Sequence, residues 1–546
     1  MTMADSLLRI AVAQLNLLVG DIPGNTDQLI AAAVTARDDH GADLIVFPEL
    51  SLTGYPPEDL LLRPSLAGRV EAAVQRLLAV SGITLVVGLP DTTPDGLFNA
   101  TWVLRDGQVL ARYAKQALPN ESVFDERRYF RNGDQPVVFE HLGVRLGLLI
   151  CEDLWQPEPC RRVREAGAEL VLNLNASPYH RGKAEERLAL AALRCREHGL
   201  PMVYCNLVGG QDELIFDGGS FATQASGEVA LQAPWFEAGL HVVDYDITTR
   251  RFLPASRAET PVDEAAVYRA LVLAVRDYVN KSGFKGIVLG LSGGIDSALT
   301  LAIAVDALGA ERVRAVMMPY RYTAEISLED AEAEARTLGV HYSVLSIAPM
   351  VEAFSATLAD TFAGLGKDKT EENLQARSRG TLLMAISNKL GYLVLTTGNK
   401  SEMSVGYATL YGDMAGGFDV LKDVPKTLVF RLSEWRNLQS PEAPPIPQRV
   451  IDRPPSAELA PDQKDEDSLP PYPVLDEILR RYIECDESAA AIVAAGFDAD
   501  TVQRVLRLVD INEYKRRQAA VGPRITPRAF GKDRRYPIVN GWRIGD

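Results

Sequence analysis

Between two apolar runs, Ile287-Val288-Leu289 and Ala298 to Ala307, the chain carries the stretch GLSGGIDSA, residues 290 to 298. The first run reads as a buried strand and the second as a helix, which puts the glycine pair at a strand-to-helix turn. There Gly293 and Gly294 are free to take positive φ and bring backbone N–H groups close to an anion, at which the helix points its positive end. Ser292 and Ser297 add hydroxyl donors. A tight turn without a ligand is the simpler account of a glycine pair. Asp296 inside the turn weakens it, because an acid suits a phosphate site chiefly when Mg²⁺ bridges the two. The turn is not a GxxxxGK[ST] loop, since the lysine is absent.

Three more residues of chemical interest end or closely follow β-like runs: Glu49 in FPELSLTGY, Lys115 in YAKQALPN and Cys151 in ICEDLW. Taken singly, they read as an exposed turn acid, a surface charge and a small core hydrophobe. The five cysteines are scattered, with no CxxC pair and no HExxH, so neither a disulfide framework nor a zinc site is indicated. Any special cysteine has to be a nucleophile.

These residues must be positioned by elements, and the elements fall into two halves. From residue 8 to about 250, short β-rich runs such as RIAVAQLN, DLIVFPEL and VRLGLLIC alternate with helical stretches, the pattern of an α/β domain. Residues 251–263 read as a linker, and an amphipathic helix opens a second unit at 264–546. Its order of strand, glycine turn and helix predicts a doubly wound, mostly parallel sheet with helices on both faces. Residues 438–473 are proline-rich and charged, and read as a long loop. A chain of 546 residues is too long for one ordinary domain. Its formal net charge of −16 argues against a general nucleic-acid binder. No apolar run is long enough for a membrane span, and Arg9 breaks the amino-terminal apolar stretch, so a cytoplasmic protein without a signal peptide is expected.

All six positions of SGGIDS fit the SGGxDS pattern, and the turn resembles the PP-loop of the ATP pyrophosphatases. That resemblance implies adenylation of an acceptor with release of pyrophosphate, followed by attack of a nitrogen nucleophile, or thiolation in relatives that modify tRNA. Glu49, Lys115 and Cys151, in this order, resemble the triad of the nitrilase superfamily over residues 8 to 250, which implies an αββα sandwich. The triad chemistry is that of a glutaminase. Cys151 attacks the side-chain amide, Glu49 moves the proton, and Lys115 stabilises the oxyanion. By position in the family motifs, Tyr55, Glu121, Ser177 and Lys183 are the expected glutamine contacts.

A nitrilase half fused to a PP-loop half resembles the glutamine-dependent NAD⁺ synthetases. The resemblance extends through ENLQARSRG (372–380), TTGNKSE (396–402), YGDMAGGF, KDVPKT, PPSAEL, DQKDEDSLPPY and NEYKRRQ. It implies amidation of deamido-NAD⁺ through an acyl-adenylate. Residues Gly290, Leu291, Ser292, Gly293, Gly294, Ile295, Asp296, Ser297 and Thr397 are then expected at ATP, and Asn373, Glu402 and Lys515 at deamido-NAD⁺. Asp296 and Glu402 are the expected Mg²⁺ ligands, and Arg377 and Arg379 are donors to the substrate's phosphates or to its nicotinate carboxylate. A homo-oligomer is implied, with an octamer as one form, and no nucleic-acid or membrane partner. Read without the family, Glu402 is more simply a helix amino-terminal charge and 515–517 a solvated basic face. An alternative enzyme, an amidase fused to a tRNA-thiolating PP-loop unit, would need reactive cysteines where the second half has only Cys485. A nucleotide-binding sensor would leave one chemical set broken, and neither is.

Overall fold

A computed structural model of the protein describes residues 6–456, 458–460, 465 and 469–542. Parts of PPSAEL, DQKDEDSLPPY and the expected loop 438–473 lie outside these residues. The chain divides into two compact units, Met1–Pro261 and Val262–Asp546.

The first unit holds two large sheets. One runs, in spatial order, Arg251–Phe252, Gly239–Asp246, Leu7–Gln14, Leu44–Val46, Thr84–Thr93, Gly96–Arg105, Gln108–Ala114. The other runs Val229–Gln232, Phe221–Thr223, Met202–Asn206, Leu170–Asn175, Val144–Ile150, Val138–His141. Side chains alternate across a strand, and Leu7–Gln14 shows how this builds four layers. Leu8, Ile10 and Val12 enter the core that also takes Leu146, Leu148 and Ile150 of the other sheet. Ala11 and Ala13 face the opposite way, into a core completed by the helices Ile22–Asp38 and Leu66–Leu78. Leu149 likewise turns outward, toward Cys160, Val163, Ala191 and Cys195 of the helices Pro157–Glu165 and Lys183–His198. The layers are therefore helix, sheet, sheet, helix. Because the central strands are buried on both faces, they read as near-continuous apolar runs. Arg251–Phe252, at the start of the stretch expected to be a linker, pairs antiparallel with Tyr245 and Asp246.

The second unit is built on five parallel strands in the order His341–Val344, Val313–Met317, Ile287–Gly290, Leu393–Thr396, Phe418–Asp419. The first three follow the chain in reverse and the last two continue forward. The order thus reverses between Ile287–Gly290 and Leu393–Thr396, and in open α/β sheets the crevice at such a switch point is where ligands bind. Val288, Val316 and Val394 pack on one face against Ile347, Val351 and Leu383. A satellite core of Leu475, Ile478, Ile483, Val502, Val505 and Val509 gathers the helices Tyr472–Leu479 and Ala499–Ile511. Inside the stretch expected to be loop, Gln448–Asp452 is a short helix. Pro447 precedes its first turn, where a missing N–H leaves no bond unmade.

One buried cation ties the far end of the chain to this unit. Lys400, 2% exposed, donates to Glu484 at 2.8 Å, to Thr526 at 2.6 Å and to the Arg528 carbonyl at 3.0 Å, and lies 2.9 Å from Asp423. Asp423 in turn accepts from the Ile525 and Thr526 N–H groups at 2.7 Å each.

Candidate active sites

In the first unit the expected residues follow carboxyl ends of strands: Glu49 after Leu44–Val46, Lys115 after Gln108–Ala114, Cys151 after Val144–Ile150 and Ser177 after Leu170–Asn175. Glu49, Lys115 and Cys151 are all buried, which removes the surface readings of the first two. Lys115 Nζ donates to Glu49 Oε1 at 2.8 Å. Asn99 donates to the same oxygen at 2.7 Å, and the Ala176 N–H donates to Glu49 Oε2 at 3.0 Å. Cys151 begins a 3-10 turn at φ 43°, a left-handed conformation rare outside glycine that commonly marks functional strain. Burial, reinforced by Glu49 and opposed by Lys115, pushes its thiol well above the usual range. It rests as a thiol and needs a base to react.

A fourth member, Glu126, was not anticipated. Lys115 Nζ donates to both of its oxygens at 2.9 Å, and the Tyr55 hydroxyl donates to Oε1, also at 2.9 Å. Burial raises Glu126 to about 7, with Lys115 acting against it and Glu49 with it. Burial also disfavours the charge on Lys115, yet Glu126 and Glu49 together carry its pKa well above the ordinary lysine value. One ammonium thus faces two carboxylates. Glu126 sits in FDERRYF, where it opens a short 3-10 turn, Glu126–Arg128, too brief for any periodicity; an acid among aromatic residues is the signal there.

The expected glutamine contacts divide. Tyr55 is buried, edge-on to Phe216, and joined to the triad through Glu126. Ser177 is 3% exposed, its Oγ accepting from Arg187 Nε at 3.0 Å. Lys183 is half-buried at the start of its helix, 3.8 Å over the Trp155 ring, and is lowered by burial against the pull of Glu186. Glu121 is exposed, and its field reaches Glu152, as do those of Lys115 and Lys183.

In the second unit a cavity of about 590 Å³ opens at the switch point. Every residue of 290–297 except Gly293 lines it, together with Thr397 and Glu402. Of the glycine pair only Gly293 takes positive φ, +78°, and a Cβ there would meet the Ser327 carbonyl oxygen at 2.3 Å. Gly294 is extended, at φ −88°, as the residue that starts the helix Ile295–Leu308; this corrects the expectation that both turn left-handed. Within the loop Ser297 Oγ donates to the Gly294 carbonyl at 2.9 Å and Ser292 Oγ accepts from the Gly294 N–H at 3.2 Å, with the two hydroxyl oxygens 3.1 Å apart.

Asp296 and Glu402 come together, and Lys426 of KDVPKT lies between them. Its ammonium bonds Asp296 Oδ2 and donates to Glu402 Oε1 at 3.2 Å, while Asn399 donates to Asp296 Oδ1 at 2.9 Å. Burial raises Glu402 to about 8, opposed by Lys426 and aided by Asp296. Glu402 also completes a capping box with Asn399, so both readings of it hold: it charges a helix start and lines the cavity. Arg453 bonds the Gly293 carbonyl, and Glu458 accepts from Ser327 at 2.6 Å, so the segment after Pro447 walls the cavity. Asn373 and Lys515 do not line it. Asn373 accepts from Thr409 at 2.9 Å, and Lys515 donates to the Gly406 and Ala408 carbonyls at 2.8 Å each, Ala408 being one of the lining residues. Arg379 lines the cavity; Arg377 is exposed and donates to the Leu410 carbonyl.

A buried thiol–carboxylate–ammonium group in one unit and a glycine turn at a switch point in the other define a carbon–nitrogen hydrolase joined to a nucleotide-dependent synthase. Two family models match accordingly, carbon-nitrogen hydrolase over residues 9–254 and NAD synthase over residues 267–519. A glutamine-dependent NAD(+) synthetase of Acinetobacter baylyi is 54% identical, with 98% of this chain and 99% of the relative covered. One from Thermotoga maritima is 46% identical over 98% and 99%. The structure of a glutamine-dependent NAD+ synthetase from Acinetobacter baumannii in complex with ADP is 52% identical, covers 99% of this chain and 100% of its own, and superposes with a TM-score of 0.81. The chain belongs to the glutamine-dependent NAD(+) synthetase family.

Proposed function

We propose that the chain amidates deamido-NAD⁺ to NAD⁺ with ATP, using ammonia released from glutamine. The observation that carries this reading is that both chemical sets are complete on one chain: the buried Glu49–Lys115–Cys151 group and the glycine turn with Asp296 and Glu402 at a switch point. In the first unit Cys151 attacks the glutamine amide carbon while Glu49 takes the thiol proton, later returning it to the departing ammonia. Lys115, held by Glu126 as well as Glu49, faces the oxyanion. Water then hydrolyses the glutamyl thioester. Tyr55, Glu121, Ser177 and Lys183 are the proposed substrate contacts.

In the second unit the turn 290–297 and Thr397 take ATP, and Asn373, Glu402 and Lys515 take deamido-NAD⁺. The nicotinate carboxylate displaces pyrophosphate from ATP, and ammonia displaces AMP from the resulting acyl-adenylate. Two carboxylates beside a phosphate loop are a donor set that suits Mg²⁺, which is commonly held by one or two carboxylates plus phosphates. Asp296 and Glu402 would hold it, and it would offset charge on the leaving pyrophosphate. Lys426 pairs with both acids and balances their charge. A cytoplasmic homo-oligomer belongs to the same proposal; among the described residues no helix is long and apolar enough to cross a membrane.

The test is NAD⁺ formation from deamido-NAD⁺, ATP and Mg²⁺, with glutamine or ammonium as donor, in the wild type and in Cys151→Ala. Loss of glutamine-driven synthesis with ammonium-driven synthesis retained is expected. A wild type that makes NAD⁺ from neither donor would refute the substrate assignment.

A further inference from the structure

Two residues beyond Cys151 lies a carboxylate that the proposed chemistry does not use. Asp153 belongs to the 3-10 turn Cys151–Leu154 and is completely buried. Oδ2 accepts from the Ile150 N–H at 2.9 Å, at the end of the strand that delivers Cys151, and from the Tyr113 hydroxyl at 2.7 Å. Oδ1 accepts from the Gln116 and Ala117 N–H groups at 3.0 and 2.8 Å, on the two residues that follow Lys115. The strands Val144–Ile150 and Gln108–Ala114 belong to different sheets of the first unit. One carboxylate thus joins the backbone behind the thiol to the backbone behind the ammonium.

Burial raises Asp153 to about 6, while the bonds from Tyr113, Ala117 and Ile150 and the field of Lys115 act against it. Above that pH it is a carboxylate, which only accepts and can therefore hold all of these donors at once. A neutral side chain of the same shape cannot. If the amide oxygen of an asparagine kept the Gln116 and Ala117 N–H groups, its nitrogen could donate to the Tyr113 oxygen but would face the Ile150 N–H. That N–H directly precedes Cys151, whose φ of 43° is of the kind that persists only where the surroundings over-determine it.

Attack on an amide requires sulfur and oxyanion donor to meet the same carbonyl, and a misplacement of about 1 Å costs about a hundredfold in rate. We propose that Asp153 is a positioning residue that sets Cys151 against Lys115 across the two sheets, so that it governs the turnover of bound glutamine and not its binding. The inference rests on the reading of Cys151 and Lys115 as nucleophile and oxyanion stabiliser.

The test uses the full chain with Asp153→Asn and Tyr113→Phe, reading kcat and KM for ammonia release from glutamine. The same two changes are made in a Cys151→Ala background, where calorimetric titration with glutamine gives the dissociation constant and the number of competent sites. Asp153→Asn is expected to lower kcat at least about thirtyfold, with KM, dissociation constant and site number within about threefold. Tyr113→Phe leaves both backbone ties in place and should keep kcat within about threefold. An unchanged kcat for Asp153→Asn, beside a Cys151→Ala variant that releases no ammonia, overturns the inference alone. So does a fall in site number or in affinity that matches the fall in kcat, which marks a merely structural residue. An equal fall for Tyr113→Phe also overturns it, since the backbone ties would then not be what matters. A Cys151→Ala variant that still releases ammonia at the wild-type rate removes the underlying reading and the inference with it. Should Asp153→Asn fail to fold, Asp153→Glu, which keeps the charge but shifts it by one methylene, is judged by the same criteria.

Discussion

Replacing Glu126 by glutamine keeps the side chain's shape and removes one of the two negative charges that face Lys115. The wild-type ammonium donates to both Glu126 oxygens at 2.9 Å and to Glu49 at 2.8 Å. In the variant the amide oxygen still accepts from Lys115, as a neutral partner, and the amide nitrogen must turn away toward Tyr55. One charge-assisted bond is lost and another falls to an ordinary one, about 2–4 kcal/mol in all. Lys115 is left with Glu49 as its sole counter-charge, and Glu49 is then less free to accept the Cys151 proton. If that energy is felt in the transition state, ammonia release from glutamine slows by about 30- to 1000-fold. The assay is the initial rate of glutamine hydrolysis, with ammonium-driven NAD⁺ formation measured on the same sample as a control for the second unit. A rate within about threefold of wild type would refute the argument that Glu126 sets the working geometry of Lys115.

Gly293→Ala should abolish NAD⁺ formation from either donor while sparing glutamine hydrolysis, because a Cβ at φ +78° meets the Ser327 carbonyl and the turn must move; full synthesis in the variant would show the turn to be pliable. Lys426→Met leaves Asp296 and Glu402 facing each other without their shared ammonium, and synthesis from ammonium should fall at least about a hundredfold, read as NAD⁺ produced per minute; an unchanged rate would exclude Lys426 from the site. Glu334 is 1% exposed, Oε1 has no hydrogen-bond partner among the described residues, and burial and Asp330 raise its pKa well above 4.5. The native state therefore keeps a proton that the unfolded chain gives up, so this group's contribution is whole at low pH and shrinks as pH rises from about 4.5. Glu334→Gln should stabilise the protein at pH 7.5 by up to about 3 kcal/mol and by much less at pH 5; a thermal midpoint lowered at pH 7.5 would contradict this.

Glu49, Cys151 and the glycine turn were legible because each directly follows an apolar run, and a chemical side chain at the carboxyl end of a buried strand has few positions open to it. Lys115 follows a half-exposed strand, and only its order with the other two singled it out. Burial on both faces made the parallel strands easy to read, whereas the layering of two sheets face to face is a property of tertiary packing, which no local pattern carries. Glu126 escaped because it opens a short 3-10 turn, Glu126–Arg128, too brief for any periodicity, and what places it is its bonds to the Lys115 ammonium and to the Tyr55 hydroxyl. Lys426 was visible as part of KDVPKT, yet nothing local says that its ammonium reaches Asp296, 130 residues away. Gly294 was misjudged for a different reason. A glycine pair announces freedom of φ without saying which residue uses it, and here the second is consumed in starting a helix.

Lys400 gives the order of synthesis a structural meaning. It stands two residues before Glu402, on the short helix that lines the nucleotide cavity, but its partners Thr526 and Arg528 are made more than a hundred residues later. Domains generally fold as units as they emerge, so the first unit can close while the second is still being made. A chain halted before Thr526 would hold Lys400 against Asp423 and Glu484 alone, with the Asp423 carboxylate deprived of both N–H donors. The nucleotide cavity is thus completed only after Thr526 and Arg528 have been made, and a product truncated before them would be left able to release ammonia without a finished site to consume it.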